Sequence, residues 1–275
     1  VTSTGIQDPD KLKPPAEVVE SAKRGKLAFF VGNGISRLYG FPSWETLCSR
    51  MLNTLAAKNK LDHNKVDLLH RQSLKAKISI ADHYFRAARE TDPESFSYKS
   101  MLEGSLKNNY FDESNAYASL AKCGVKFITT NYDNLLASSL EKKHGIDKAI
   151  RNSTVDTVAS ENTILGKSIE SVGIHIDPYK FSAPEMLPNN VVFHLHGSYE
   201  NESTVVASTA SYLKLYGDEN VQRFLRRFFE THVIVFLGYS ATEATYWITS
   251  EASLNPRKRI DCKIALLNSA WSHMS

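Results

Sequence analysis

The chain has 275 residues, 42% hydrophobic and 23% charged, enough to bury a core without disulfide or metal staples as one large domain or a core carrying an insertion. That composition excludes disordered, collagen-like and low-complexity classes. A net charge of +3, from 33 basic and 30 acidic residues, names no partner, and direct nucleic-acid binding is not indicated.

In chain order, Pro14 and Pro15 open a short helical pattern that stops at Gly25, a good C-terminal cap. Leu27–Val31 reads as a buried strand because its apolar residues continue without alternation. Trp44, Leu47, Cys48, Met51, Leu52 and Leu55 form one helical stripe, with Ser43 as its N-cap. Residues 60–122 continue helical. Lys126–Thr130 is the second strand, and a helix follows over Leu135–Lys143, ended by Gly145. The stretch 146–189 is irregular, with a possible strand at Val172–Ile176. Val191–Leu195 is a clear strand, and Val205-Val206 reads as another short one. Tyr212–Glu230 is helical but interrupted at Gly217, and Val233–Leu237 and Lys263–Leu267 close the series. Strands separated by helices predict an α/β class: a Rossmann-like, mostly parallel sheet flanked by helices, with a helical insertion subdomain.

The three cysteines, Cys48, Cys123 and Cys262, lie far apart, and no signal-peptide pattern precedes them. A reducing cytoplasm and no membrane span are the expectation. The start at Val1 and the Ser272–Ser275 end fit a fragment or engineered version of a longer protein.

The strands end in unusual residues. The first runs into Gly32-Asn33-Gly34-Ile35-Ser36, the second into Thr130-Asn131-Tyr132-Asp133, the third into His196-Gly197-Ser198, the fourth into Gly238-Tyr239-Ser240 and the last into Asn268. In an open parallel sheet these ends share the edge where ligands bind, so five distant segments converge on one cleft. Gly32 and Gly34 let backbone N–H groups approach a phosphate, although the full dinucleotide fingerprint is incomplete and no P-loop is present. His194 and His196, two residues apart, are expected on one sheet face. His194 reads as packing or as a support behind the site residues, and Arg223, Arg226 and Arg227 as a solvated or subunit-facing helix surface.

Val31–Ser36, Thr129–Asp133, Leu195–Gly197 and Phe236–Ser240 together resemble, in order and spacing, the sirtuin (SIR2) superfamily. The likeness is greater to the SIR2-like domains of bacterial anti-phage defence proteins, where a Tyr-Leu…Tyr-Gly…Phe stretch also leads into Phe-Leu-Gly-Tyr-Ser. It extends over residues 25–268. The resemblance implies one domain over residues 1–275, its nucleotide-binding core at about 25–45, 124–145 and 190–268. Insertions would occupy about 46–123 (helical) and 146–189 (irregular).

By the same resemblance, Gly32, Asn33, Gly34 and Ser36 would hold the NAD pyrophosphate and adjoining ribose. Asn131 would sit at the nicotinamide ribose and Asp133 near the carboxamide. His196 would be the catalytic base, with Gly238 and Ser240 on the adenosine side and Asn268 at its ribose. Asn33 stands where relatives usually carry Ala or Ser. The deacetylase branch has a four-cysteine zinc module, and the cysteines here lack that spacing, so no zinc is expected.

Cleaving nicotinamide from ribose develops oxocarbenium character, and the cationic leaving group needs no general acid. Asn131 can position ribose or water through both amide atoms. His196 suits a base with a pKa near working pH. The implied reaction is NAD hydrolysis to ADP-ribose and nicotinamide in defence, by a homo-oligomer or with a helicase-like, Argonaute-like or phage-sensing partner. The alternatives are a noncatalytic NAD or ADP-ribose sensor, or an NAD-dependent protein deacylase.

Overall fold

The computed structural model describes residues 14–103, 116–144 and 173–239. The expected strand at Lys263–Leu267, Cys262, Ser240 and Asn268 lie outside those residues. Five described strands form one parallel sheet: β1 (Leu27–Val31), β2 (Lys126–Thr129), β3 (Gly173–His175), β4 (Val191–His194) and β5 (Val233–Leu237), in the order β3-β4-β2-β1-β5. The architecture is the expected Rossmann-like α/β sheet with helices on both faces.

Side-chain alternation explains why these strands read as unbroken apolar runs. Leu27, Val31, Phe127, Val192, Val235 and Leu237 enter the core on one face. Ala28, Phe30, Ile128, Val191, Phe193, Ile234 and Phe236 enter the core on the other. Both faces are covered, as parallel sheets require. Each fully buried large apolar side chain contributes about 1.5–3 kcal/mol.

The first face is covered by α3 (Trp44–Ala57), α5 (Leu74–Arg89), α7 (Ala116–Ala121) and α8 (Leu135–Lys143). Preceding them are α1 (Ala16–Lys23), which ends before Gly25 at a φ of 66°, and α2 (Asn33–Ser36). The helices α4 (His63–His70) and α6 (Tyr98–Glu103) complete the helical stretch between β1 and β2. Ser43 caps α3 by accepting the Thr46 N–H at 3.2 Å. The opposite face is covered by α10 (Glu219–Thr231), whose Phe224, Leu225, Phe228 and Phe229 pack under the sheet. It follows α9 (Thr209–Gly217), and Asp218 between them accepts the Asn220 and Val221 N–H groups, which restarts the helix.

Two expectations change. Val205 and Val206 are buried but form no strand. Their segment is held by different bonds: Val206 N–H donates to the His196 carbonyl at 3.0 Å, Tyr132 Oη to the Val206 carbonyl at 2.6 Å, and Arg86 Nη2 to the Val205 carbonyl at 2.6 Å. Burial alone mimicked a strand. His194 and His196 serve different places: β4 stops at His194, the chain turns through Gly197 at a φ of 75°, and His194 bonds the Asn131 carbonyl while the His196 ring faces Tyr212 and Tyr216. A Cβ at Gly197 would meet the Thr204 carbonyl oxygen at 2.1 Å, so this turn requires glycine.

Candidate active site

Strand register brings the motifs together. Val31 is paired with Thr129 on one side and Leu237 on the other, and Thr129 with His194. The four strand ends are therefore level, and the residues that follow meet at one edge. Gly34 N–H donates to the Gly238 carbonyl at 3.0 Å, and Gly32 N–H to the Leu237 carbonyl at 2.8 Å. A Cβ on Gly34 would stand 2.7 Å from the Gly238 oxygen. These glycines let two strand-end turns touch through backbone.

A cavity of about 1130 Å³ opens at this edge. Asn33, Asn131, Asp133 and His196 line it, together with Thr130, Tyr132 and Tyr239. Asn33 also donates from Nδ2 to the Pro42 carbonyl at 3.3 Å. From α3 and α5 the lining takes the apolar Trp44, Leu47, Leu74 and Ile78, together with Lys75. Gly32, Gly34, Ser36 and Gly238 are not among the lining residues; Gly32 and Ser36 are buried, Gly238 is half-buried and Gly34 is exposed.

A polar network runs beneath the lining. Asn131 Nδ2 donates to Ser36 Oγ at 2.8 Å, to the Gly32 carbonyl at 3.1 Å and to Tyr117 Oη at 3.3 Å. Its Oδ1 is buried and has no hydrogen-bond partner among the described residues. The Gly32 carbonyl can only accept, so it faces the NH2 end of the amide. Ser36 Oγ donates to Asp133 Oδ2 at 2.6 Å, and Asp133 Oδ1 accepts the Leu135 N–H at 3.1 Å. Asp133 thus begins α8 from one residue before the cap position, Asn134. Burial pushes its carboxyl up to about 6, although the bonds from Ser36 and Leu135 oppose the rise.

His194 Nδ1 donates to the Asn131 carbonyl at 3.3 Å and braces the turn from below. Tyr199 N–H and Ser198 Oγ donate to the Tyr132 carbonyl, and Tyr199 Oη donates to Asn134 Oδ1 at 2.7 Å. The turns after β2 and β4 are consequently one rigid unit. From α5, Arg86 bonds both Asp82 oxygens and the Val205 carbonyl, and Tyr98 donates to the buried Asp82. The helical stretch therefore grips the loop that carries His196.

His196 differs from expectation in its protonation. Its ring is buried, with Nε2 2.6 Å from Tyr216 Oη and Nδ1 3.3 Å from Tyr212 Oη. Burial lowers its pKa to about 3, so the imidazole is neutral at physiological pH rather than poised near it. A neutral ring has one donor and one acceptor, hence one tyrosine donates to it and the other accepts. Tyr212 and Tyr216 sit one turn apart on α9, and their i, i+4 spacing was the available signal for this pair. Tyr117 carried no such signal, since it reaches Asn131 from a separate helix.

Residues 125–246, from the start of β2 past β5, match the family described as SIR2-like domain. Over that stretch the chain is similar to SIR2-like domains. It is also 23% identical over 237 residues to Defense-associated sirtuin 2 of Bacillus subtilis, an alignment covering 81% of this chain and 19% of that protein. The chain thus spans under a fifth of the length of that curated relative. The family match begins after the Gly32–Ser36 motif, so the level strand ends link that motif to the matched region. Among the described residues no group of three or more His, Cys, Asp or Glu could hold a metal. Among them, no helix is long and apolar enough to cross a membrane.

Proposed function

We propose that this chain hydrolyses NAD to ADP-ribose and nicotinamide as an NAD glycohydrolase, and does so in anti-phage defence. The observation that carries this reading is the Asn131 amide. Its NH2 end is anchored by three acceptors while Oδ1, buried in a residue of the cavity lining, has no partner among the described residues. A buried acceptor left unpaired costs about 1–3 kcal/mol, and a ribose hydroxyl or a water bound there would supply its donor. A cavity of about 1130 Å³ is ample for a ligand of dinucleotide size.

In this reading the C–N bond between ribose and nicotinamide breaks, both electrons leave with nicotinamide, and a water oxygen bonds to the ribose carbon and releases a proton. Asn131 orients the ribose or the water, and restricting those motions is a major source of rate. Asp133, beside Asn131 in the lining, would meet the carboxamide. The neutral His196 would take up the released proton, which requires the tyrosine at its accepting nitrogen to give way. Gly32, Asn33, Gly34 and Ser36 would serve the pyrophosphate side, and Gly238, Ser240 and Asn268 the adenosine side. We assign residues 25–45, 124–145 and 190–268 to the nucleotide-binding core, working in the cytoplasm as a homo-oligomer or with a defence partner.

One observation favours a second reading, a noncatalytic NAD or ADP-ribose sensor: both ring nitrogens of His196 face tyrosine hydroxyls. Incubating the chain with NAD, with and without an acyl-lysine peptide, and resolving products by mass spectrometry separates the cases. Hydrolysis predicts ADP-ribose and nicotinamide without peptide. Binding without turnover supports the sensor, and an acylated ADP-ribose would mean deacylation.

A further inference from the structure

We propose that Tyr117, in the helical stretch between β1 and β2, is a positioning residue that sets the orientation of the Asn131 amide for NAD cleavage. This rests on the reading above and extends it to a residue outside the strand-end motifs. The Tyr117 hydroxyl is fully enclosed, 2.8 Å from Ser36 Oγ and 3.3 Å from Asn131 Nδ2. The direction of each bond follows from counting hydrogens. An ionised Asp133 can only accept, so the single Ser36 hydrogen is spent on it. Ser36 Oγ must therefore accept from Tyr117, which leaves the Tyr117 oxygen free to accept from Asn131. The Asn131 NH2 end then faces three acceptors, Gly32 O, Ser36 Oγ and Tyr117 Oη. A flipped amide would set its oxygen against the Gly32 carbonyl, so Oδ1 is kept as the atom left for a ligand.

Tyr117 is itself held in place. Its ring lies against Tyr39 at 5.6 Å between centroids, and Tyr39 Oη accepts the Ala116 N–H at 2.7 Å. Tyr39 closes the short turn that follows Ser36, and Ala116 opens α7. The two tyrosines thus join the glycine motif to the helical stretch, and the Tyr117 hydroxyl carries the bond to Asn131.

The test compares Tyr117→Phe, Tyr39→Phe and Asn131→Ala in the full chain, by steady-state NAD cleavage and by the Asn131 side-chain amide NMR signal in the tyrosine variants. Tyr117→Phe keeps the ring and is expected to lower kcat about tenfold with KM within about twofold, as loss of alignment without loss of binding does. It also moves the Asn131 signal. Tyr39→Phe does neither. Parent kcat with an unmoved signal in Tyr117→Phe, or equal losses in both tyrosine variants, overturns the assignment. If the parent cleaves no NAD the NADase reading fails, and the amide signal alone decides on Tyr117; if Asn131→Ala cleaves NAD as an active parent does, the role of Asn131 and with it the Tyr117 assignment is overturned. Should Tyr117→Phe not fold, 3-fluorotyrosine at 117 keeps the ring and strengthens donation; an unchanged kcat and amide signal would then overturn the proposal.

Discussion

Asp133→Asn separates the electrostatic cost of the site from its chemistry. Asp133 is 5% exposed, and among the described residues no cation pairs with it. Its carboxyl is raised from 3.8 to about 6, chiefly by burial. A folded-state pKa above the unfolded one means that protonation favours folding. The resulting stability is complete below pH 3.8 and is lost as pH rises through about 6. At neutral pH the ionised group therefore costs up to about 3 kcal/mol relative to its neutral form. Asparagine has the same shape, can accept the Leu135 N–H through Oδ1 and can donate through Nδ2 to Ser36 Oγ. The Tm of Asp133→Asn minus that of the parent should thus grow between pH 5 and pH 8 by about 3–6 °C, since roughly half of that cost develops in this window. Thermal unfolding followed by circular dichroism across that range measures it. Taking the difference removes the opposing contribution of buried histidines. A difference that stays flat with pH would refute the reasoning, and NAD cleavage should fall even as stability rises.

Gly34→Ala would set a Cβ 2.7 Å from the Gly238 oxygen and 2.8 Å from its Cα; neither backbone atom can step aside, and chemical denaturation should show a loss of about 1–3 kcal/mol. His196 is neutral in the fold because burial lowers its pKa from 6.5 to about 3. It contributes stability above pH 6.5 that is lost as pH falls toward 3, and the pH dependence of Tm should flatten over that window in His196→Gln. Arg86→Ala leaves Asp82, 3% exposed, with Tyr98 alone and frees the Val205 carbonyl. With the Arg86 side chain 37% exposed and therefore partly screened, urea unfolding should register a cost of about 1–3 kcal/mol, and exchange of the Val206 amide hydrogen should quicken.

The sheet was legible because both of its faces are buried. Runs such as Leu27–Val31 and Val233–Leu237 have no polar residue to blur their limits, and their observed bounds match those read from the chain. The convergence of Gly32, Asn131, His196 and Gly238 on one edge followed from parallel strands alone, since level strand ends bring their successors together. What stayed hidden depends on contacts distant in the chain. Val205-Val206 reads as a strand because apolar composition reports burial, whereas its partners are Arg86, Tyr132 and the His196 carbonyl. The pKa of His196 depends on enclosure by α9, and local sequence does not carry that enclosure. Tyr117 lies 81 positions from Ser36, and only the packed helical stretch brings their hydroxyls together.

In the proposed function Asn131 and His196 cleave NAD at the cavity above the sheet. Quantifying nicotinamide and ADP-ribose released from NAD by the parent chain, Asn131→Ala and His196→Ala, each confirmed folded by its Tm, tests it most directly. The parent should release the two products in equimolar amounts, and both variants should lose nearly all release. Undiminished release from either variant, or tight NAD binding by the parent with no products, would contradict it.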